Sequence, residues 1–282
     1  MSFVRTLRAP TAASLSALGA AFALFAATAT ATATPRPLPF TYPAETLPKS
    51  ALEVEQSVDL VPVRVAREEA AGTKSVTSIR SELQTELEYG LTDKVEIALY
   101  FAFRQAASAT SPYFQFRGLK QRVRWEISDQ SYWPLGLGVY GEITEYHDEL
   151  EFEQKVLLSR RFGAIGVAAN LWVEQEYYFQ NDEWRFIYNP TAGGYYEFSP
   201  NFTLGAEYWA RGRFDDADSG STASEDARST TKHYAGPTAM LQNEEAFISL
   251  GSYFRLDHLA DSIAVGDQWG RFYARVMVGI HL

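Results

Sequence analysis

Two neighbouring stretches of strictly alternating residues constrain the fold of this chain more than any other feature. Between Thr77 and Tyr89 apolar side chains alternate with charged or polar ones, and the alternation resumes from Val95 to Arg104 after a break at residues 90–93. A period of two indicates a β-strand with one apolar and one polar face. Long strands with aromatics on one face and charges on the other are typical of a hairpin between lipid and water.

The same alternation continues to the last residue and predicts an all-β chain. The fold class that we predict is an antiparallel up-and-down transmembrane β-barrel of about 12 strands, preceded by a cleaved signal peptide. The predicted strands span 52–66, 77–89, 94–104, 113–127, 133–144, 150–159, 164–177, 184–198, 202–213, 232–241, 245–256 and 269–282.

The predicted connections alternate between short turns and longer loops. The connections after even-numbered strands are short, and those after odd-numbered strands are mostly longer and more polar, as in outer-membrane barrels. The longer ones are 67–76, 105–112, 145–149, 178–183, 214–231 and 257–268. An even number of strands also places both ends of the barrel at the short-turn, periplasmic rim.

A soluble β-sandwich or a lipocalin-like barrel is the alternative fold. A soluble barrel would send its apolar face inward, yet eight strands already enclose an interior that side chains just fill. Twelve strands would leave wet space against apolar side chains, so we expect the apolar face to contact lipid. The expected outward residues include Leu119, Val123, Trp125, Ile127, Leu135, Leu137, Val139, Ile143, Ile165, Val167, Ala169, Leu171, Val173, Phe202, Leu204, Ala206, Tyr208, Phe272, Ala274, Val276, Val278 and Ile280.

The N-terminus predicts secretion. Arg5 and Arg8 precede a small apolar stretch from Ala13 to Ala27, and A-x-A-like cleavage sites follow, so we expect a signal peptide at 1–33. A Pro-rich periplasmic lead is predicted at 34–51, either free or folded inward as a plug, and the barrel at 52–282.

The formal charge of the whole chain is −10, and there is no cysteine. These features exclude a thiolate metal site and disfavour nucleic acid as a partner.

Two short segments resemble a known family. The sequence E-L-E-Y-G-L-T-D-K-V-E from Glu86 to Glu96 resembles the first hairpin of outer-membrane transporters associated with the meta-pathway of phenol degradation. The segment from Ala235 to Thr238, followed by a last hairpin and an apolar last strand, is similar too. The resemblance implies passive transport of small, often hydrophobic or aromatic compounds, and it supplies no catalytic residues.

The polar strand faces predict a charged lumen. Rings of charged side chains select ions in pores, whereas the alternative is a lumen filled by cross-strand ion pairs, because charges removed from water must be paired. Three inward cations in a row on one strand, at positions 120, 122 and 124, favour an anionic solute or specific partners. The lumen-lining candidates are Arg80, Glu82, Glu86, Glu96, Lys120, Arg122, Arg124, Glu142, Glu151, Glu153, Glu174, Glu207 and Arg211.

Two positions inside predicted strands indicate irregular structure. Gly193 and Gly194 lie within one strand and Pro237 within another. Mid-strand glycines mark a bulge or a close backbone approach, and proline removes a ladder hydrogen bond. We interpret the glycines as shaping the lumen.

The sequence predicts a passive channel or transporter for small molecules in the bacterial outer membrane. Two alternatives are a closed structural or adhesive barrel and a barrel-embedded lipid-modifying enzyme. No catalytic set, cofactor or metal site is expected, since no H-E-x-x-H or G-x-S-x-G motif is present. The acidic loop 214–231 lacks the residue order of a calcium loop. Expected partners are the lipid bilayer with lipopolysaccharide, the barrel-assembly machinery acting on the last strand, and a small solute.

Overall fold

Thirteen strands make up most of the described chain. The computed structural model describes residues 36–70, 72–110, 113–128, 131, 133–214, 231–257 and 264–282. No helix within these ranges is long and apolar enough to cross a membrane. The strands are β1 (Leu52–Glu69), β2 (Gly72–Thr92), β3 (Val95–Gln105), β4 (Phe114–Ser128), β5 (Gly136–Tyr146), β6 (Glu149–Phe162), β7 (Ile165–Tyr178), β8 (Glu183–Tyr188), β9 (Thr191–Ser199), β10 (Phe202–Arg213), β11 (Lys232–Gln242), β12 (Ala246–Arg255) and β13 (Phe272–His281).

These strands form one closed antiparallel barrel. Strands that follow each other around the wall pair antiparallel, and β1 closes the ring by pairing with β13, from Glu53 opposite His281 to Leu60 opposite Ala274. Strands β8 and β9 share one position in the wall, because both lie between β7 and β10. The wall therefore has twelve strand positions, which confirms the predicted up-and-down barrel.

The predicted strand at 184–198 is interrupted at Asn189 and Pro190. Proline has no N–H to donate to a neighbouring strand, so a ladder cannot run through it unbroken. The N–H of Asn189 still donates to the carbonyl of Trp172 at 2.9 Å, and the N–H of Ala210 donates to the carbonyl of Pro190 at 3.0 Å. The wall remains closed across the break.

The two faces of the wall differ as the alternation predicts. Along β4, Val123 and Trp125 are 50% and 52% exposed, whereas Arg122 and Arg124 between and beside them are each 2% exposed. On β7, Leu171 is 61% exposed. Apolar side chains therefore face outward, where they contact lipid, and charged side chains face the lumen.

One predicted loop is strand in the structure. The loop predicted at 67–76 continues the β1–β2 ladder almost to its tip, where Glu69 pairs with Gly72. The cluster of charges at residues 67–69 suggested a solvated loop, but cross-strand contacts support the ladder there, including a 2.8 Å hydrogen bond from Thr73 Oγ1 to Glu68. This hairpin is therefore the longest of the barrel.

The predicted signal peptide at 1–33 and nearly all of the acidic loop 214–231 lie outside the described residues. Both stay predictions.

Candidate functional site: the plugged lumen

Residues 36–48, which we name the plug, lie inside the barrel. The plug approaches the wall at Glu55 and Ser249, crosses the lumen past Glu207 and Asn170, and returns to the short-turn rim near Glu96. Residues 36–42 are all buried, and exposed Lys49 and Ser50 then lead into β1. Of the two possibilities for the Pro-rich lead, the structure therefore has its residues 36–48 folded inward.

Wall side chains bond the backbone of the plug. The N–H of Phe40 donates to Glu207 at 2.9 Å, that of Tyr42 to Asn170 at 2.8 Å, and that of Leu47 to Glu96 at 2.8 Å. These bonds meet the requirement that buried backbone donors find acceptors. The plug is therefore held by individual side chains, and none of its described residues belongs to a strand.

The prolines of the plug suit this environment. Pro39 and Pro43 directly precede Phe40 and Ala44, whose N–H groups donate to Glu207 and Ser159 of the wall. Proline has no N–H, so its burial leaves no backbone donor without an acceptor. The carbonyl groups of two of these prolines accept from arginines of the wall, since Arg124 donates to Pro43 and Arg275 to Pro39. A proline-rich segment therefore crosses the lumen without a partner strand.

A glycine makes room for the plug in the wall. A Cβ placed on Gly193 would lie 2.9 Å from Cδ1 of Leu38 and 2.8 Å from the carbonyl oxygen of Ala206. At the adjacent Gly194 the nearest atoms are 3.5 and 3.6 Å away. The close approach that the sequence indicated here is therefore made by the carbonyl of Ala206 on β10 and by the side chain of Leu38 in the plug.

The plug separates two cavities of about 400 Å³ each. One, which we name the vestibule, opens toward the longer loops, and its wall includes Arg117, Asp148 and Tyr178 near the ends of those strands. The other lies toward the short turns, beside Pro48 and Gln242. Phe40 and Tyr42 of the plug form part of the floor of the vestibule. An open path through the barrel would require the plug to move.

The vestibule is lined by charged and aromatic side chains. Nine carboxylates and seven cationic side chains border it, which gives a formal excess of two negative charges. Ten aromatic side chains also border it: Phe40, Tyr42, Tyr100, Tyr140, Tyr146, Trp172, Tyr178, Trp209, Trp269 and Tyr273.

The structure distributes the predicted lumen residues over three places. Those in the vestibule wall are Arg80, Glu82, Lys120, Glu142, Glu151, Glu153, Glu174 and Arg211. Those buried below them are Glu86, Glu96, Arg122 and Arg124. Glu207 is separate, because it accepts the N–H of Phe40 and the hydroxyl of Tyr253. Whether these residues select solutes stays a proposal.

The three consecutive cations on β4 all have partners. Lys120 pairs with Glu142 at 2.9 Å. Arg122 pairs with Glu86, Glu88 and Glu96, and donates to the hydroxyl of Tyr100 at 2.6 Å. Arg124 pairs with Glu96 at 3.3 Å and donates to the carbonyls of Pro43 and Glu45. The cations thus serve cross-strand ion pairing and, at Arg124, hold the plug.

The structure has an inward aromatic cluster that the sequence pattern did not predict. Phe40 packs on Trp209 with ring centroids 5.0 Å apart, and Trp209 stacks on Tyr234 at 4.2 Å. Tyr253 and Tyr273 complete the cluster. The signal was weak because Trp209 and Tyr273 follow the outward aromatics Tyr208 and Phe272 in sequence, which masks the alternation.

Arg36 brings a cation of the plug into an acidic part of the wall. Its Nη1 atom lies 2.9 Å from Oε1 of Glu55, and its guanidinium carbon lies 3.9 Å from the ring centre of Tyr42. Burial lowers the pKa of Arg36, but Glu55 and neighbouring carboxylates outweigh this effect and raise the pKa above its ordinary value. Arg36 therefore stays charged inside the lumen.

Two groups of three carboxylates among the described residues have oxygen atoms within 4.8 Å of one another. They are Glu53, Glu55 and Glu88 beside the plug, and Glu151, Glu174 and Glu176 in the vestibule. Arg36 pairs with the first group through Glu55, and Arg211 pairs with the second through Glu174 and Glu176.

Comparison with known proteins supports the fold. No protein family and no curated protein matches the chain. The crystal structure of an outer-membrane channel from Pseudomonas putida F1 is similar, with a TM-score of 0.60 and 13% identity over 85% of this chain and 98% of that chain. The NanC porin has a TM-score of 0.52 and 9% identity over 82% of this chain and 98% of that chain. The chain therefore has the fold of bacterial outer-membrane channels.

Proposed function

We propose that this protein is a passive channel for small molecules in the bacterial outer membrane, and that the plug closes it at rest. The observation that carries the proposal is the division of one polar lumen into two cavities by a segment outside every strand. Side chains of the wall hold this segment by hydrogen bonds and by the ion pair between Glu55 and Arg36, and a typical hydrogen bond contributes about 0.5–1.5 kcal/mol net. Displacement of the plug therefore leaves every strand pairing of the wall intact.

The lining favours small solutes that carry an aromatic ring or a charge. Ten aromatic side chains in the vestibule offer ring faces for stacking, which prefer offset or edge-to-face contacts. The resemblance of the first hairpin to transporters associated with phenol degradation points to monoaromatic compounds as the first class to test. The excess of carboxylates favours cations over anions.

A closed structural barrel is the second candidate, and the plug itself favours it. The ion pairs and the buried segment fill much of the lumen, and a barrel without a transport role would not need an open lumen.

We propose no enzymatic role, since the solved structures reported above are a channel and a porin. The outward face would contact the bilayer and lipopolysaccharide, and the last strand would engage the assembly machinery.

Conductance and solute flux separate the two candidates. The purified barrel and a variant that lacks residues 36–48 are reconstituted in planar bilayers and in liposomes. A channel predicts small or intermittent conductance for the whole protein and a larger, steady conductance for the deletion variant. A flux panel of sugars, fatty acids and monoaromatics then identifies the solute class. Absence of conductance and flux from both proteins would establish the closed barrel.

A further inference from the structure

The guanidinium group of Arg36 lies in a site that Glu55 of the barrel wall forms together with Pro39 and Tyr42 of the plug. Nη1 of Arg36 donates to both oxygens of Glu55, at 2.9 and 3.2 Å, and Nη2 donates to the carbonyl of Pro39 at 3.2 Å. The ring of Tyr42 covers the guanidinium at 3.9 Å. Carboxylate oxygens together with an aromatic face are the contacts that a planar guanidinium favours.

The wall around this site has more carboxylates than cations. Glu53 and Glu88 complete the group with Glu55, and all three are buried. The wall cations Arg122 and Arg124 pair with Glu86, Glu88 and Glu96 and make no ion pair with Glu55. Oε1 of Glu88 accepts no hydrogen bond within the described chain. Nδ1 of His281 lies 2.9 Å from Oε2 of Glu53. Without Arg36, the five carboxylates of this part of the wall face two arginines and this histidine, and a buried charge without a partner is costly.

We infer that Glu55, with Glu53 and Glu88, is a guanidinium-binding site of the wall, and that Arg36 fills it while the plug is in place. A solute with a free guanidinium group competes with Arg36 for Glu55. The consequence for transport rests on the proposed function: a bound solute of this class favours the displaced plug. The binding itself does not depend on conduction.

Removal of the Arg36 side chain exposes the site to a small probe. The variant Arg36→Ala is purified in detergent and titrated with methylguanidinium, whose methyl protons report weak binding in saturation-transfer NMR. Urea serves as a control ligand, because it is planar and of similar size but carries no charge. The matched control protein is Arg67→Ala, which removes an exposed arginine from the same barrel.

We expect Arg36→Ala to bind methylguanidinium at least tenfold more tightly than the wild type, in which Arg36 competes. Addition of Glu55→Gln to Arg36→Ala is expected to remove this gain, and Arg67→Ala is expected to match the wild type. Heat-modifiable migration on gels shows whether each barrel is folded. If Arg36→Ala does not fold, Arg36→Gln vacates the same contact with a smaller loss of volume.

Equal affinity in all four proteins, or equal signals from urea and methylguanidinium, overturns the proposed site. This failure is distinct from failure of the proposed channel. Binding to Arg36→Ala together with a non-conducting deletion variant would keep the site and overturn the channel. Conduction by the deletion variant without binding would keep the channel and overturn the site.

Discussion

The side-chain amide of Asn170 bonds both backbone groups of Tyr42. Its Oδ1 accepts the N–H of Tyr42 at 2.8 Å, and its Nδ2 donates to the carbonyl of Tyr42 at 2.8 Å. The contact replaces the pair of bonds that a neighbouring strand would supply. One wall residue on β7 therefore holds the middle of the plug.

Asn170→Asp is expected to weaken the hold on the plug. The substitution replaces the donor Nδ2 with an oxygen that repels the carbonyl of Tyr42, so one bond is lost and a buried charge is added. Loss of about 1–3 kcal/mol corresponds to a roughly 5- to 160-fold rise in the population with the plug displaced. Conductance in planar bilayers measures this population, and Asn181→Asp in an exposed turn is the control. Identical conductance of the wild type and Asn170→Asp would contradict this role.

Gly193→Ala is expected to displace the plug, and Gly194→Ala to leave it in place. The new methyl group at position 193 would press on Leu38 and on the carbonyl of Ala206, whereas at position 194 the nearest atoms stand at ordinary contact distance. Limited proteolysis of the plug from the short-turn side measures the difference. Equal cleavage of the two variants would show that the position of Leu38 in the plug does not require a glycine at position 193.

Arg122→Met is expected to destabilise the barrel. Arg122 is 2% exposed and pairs with three buried carboxylates, so its loss leaves them facing one another. Breaking a buried pair typically costs about 3–5 kcal/mol. The midpoint of heat unfolding in detergent should fall, and Arg64→Met on the exposed part of β1 should change it little. An unchanged midpoint would mean that these carboxylates are already protonated or hydrated and do not depend on Arg122.

Ion selectivity is expected to shift in opposite directions for two vestibule substitutions. In the plug-deleted barrel, Glu151→Gln removes a negative charge and should lower the preference for cations, whereas Lys120→Gln removes a positive charge and should raise it. The reversal potential in a KCl gradient measures both, and Glu244→Gln at a short turn is the control. Absence of a shift from both substitutions would place these residues outside the conducting path, and shifts of the same sign would contradict selection by their charges.

Much of the wall could be predicted from the sequence because alternation reports sidedness directly. Val123 and Arg122 could be assigned to opposite faces from their order alone, since a period of two leaves no other arrangement on a strand. The ladder beyond Arg67 was not predicted, because exposed charged residues occur both in loops and at the ends of strands, so the sequence does not distinguish the two at a hairpin tip.

The path of the plug through the lumen could not be predicted, although the sequence shows that the segment is rich in proline. A segment without periodicity gives no sign of which wall residues bond it, and Asn170, Ser159 and Glu207 lie far from it in sequence. The ion-pair partners of Lys120 and Arg122 depend on the strand register, which the sequence fixes only within a few residues.

A disulfide between the plug and the wall tests the central claim most directly, because the natural chain has no cysteine. A Cβ on Gly136 would lie 3.3 Å from the Cβ of Ala44, close to the separation of about 3.5–4.5 Å in disulfides. The double variant Ala44→Cys with Gly136→Cys is compared with Ala44→Cys alone, oxidised and then reduced in the same liposomes. We predict that oxidation stops solute flux and that reduction restores the flux of the single variant. Equal flux through the oxidised and the reduced double variant would contradict closure by the plug.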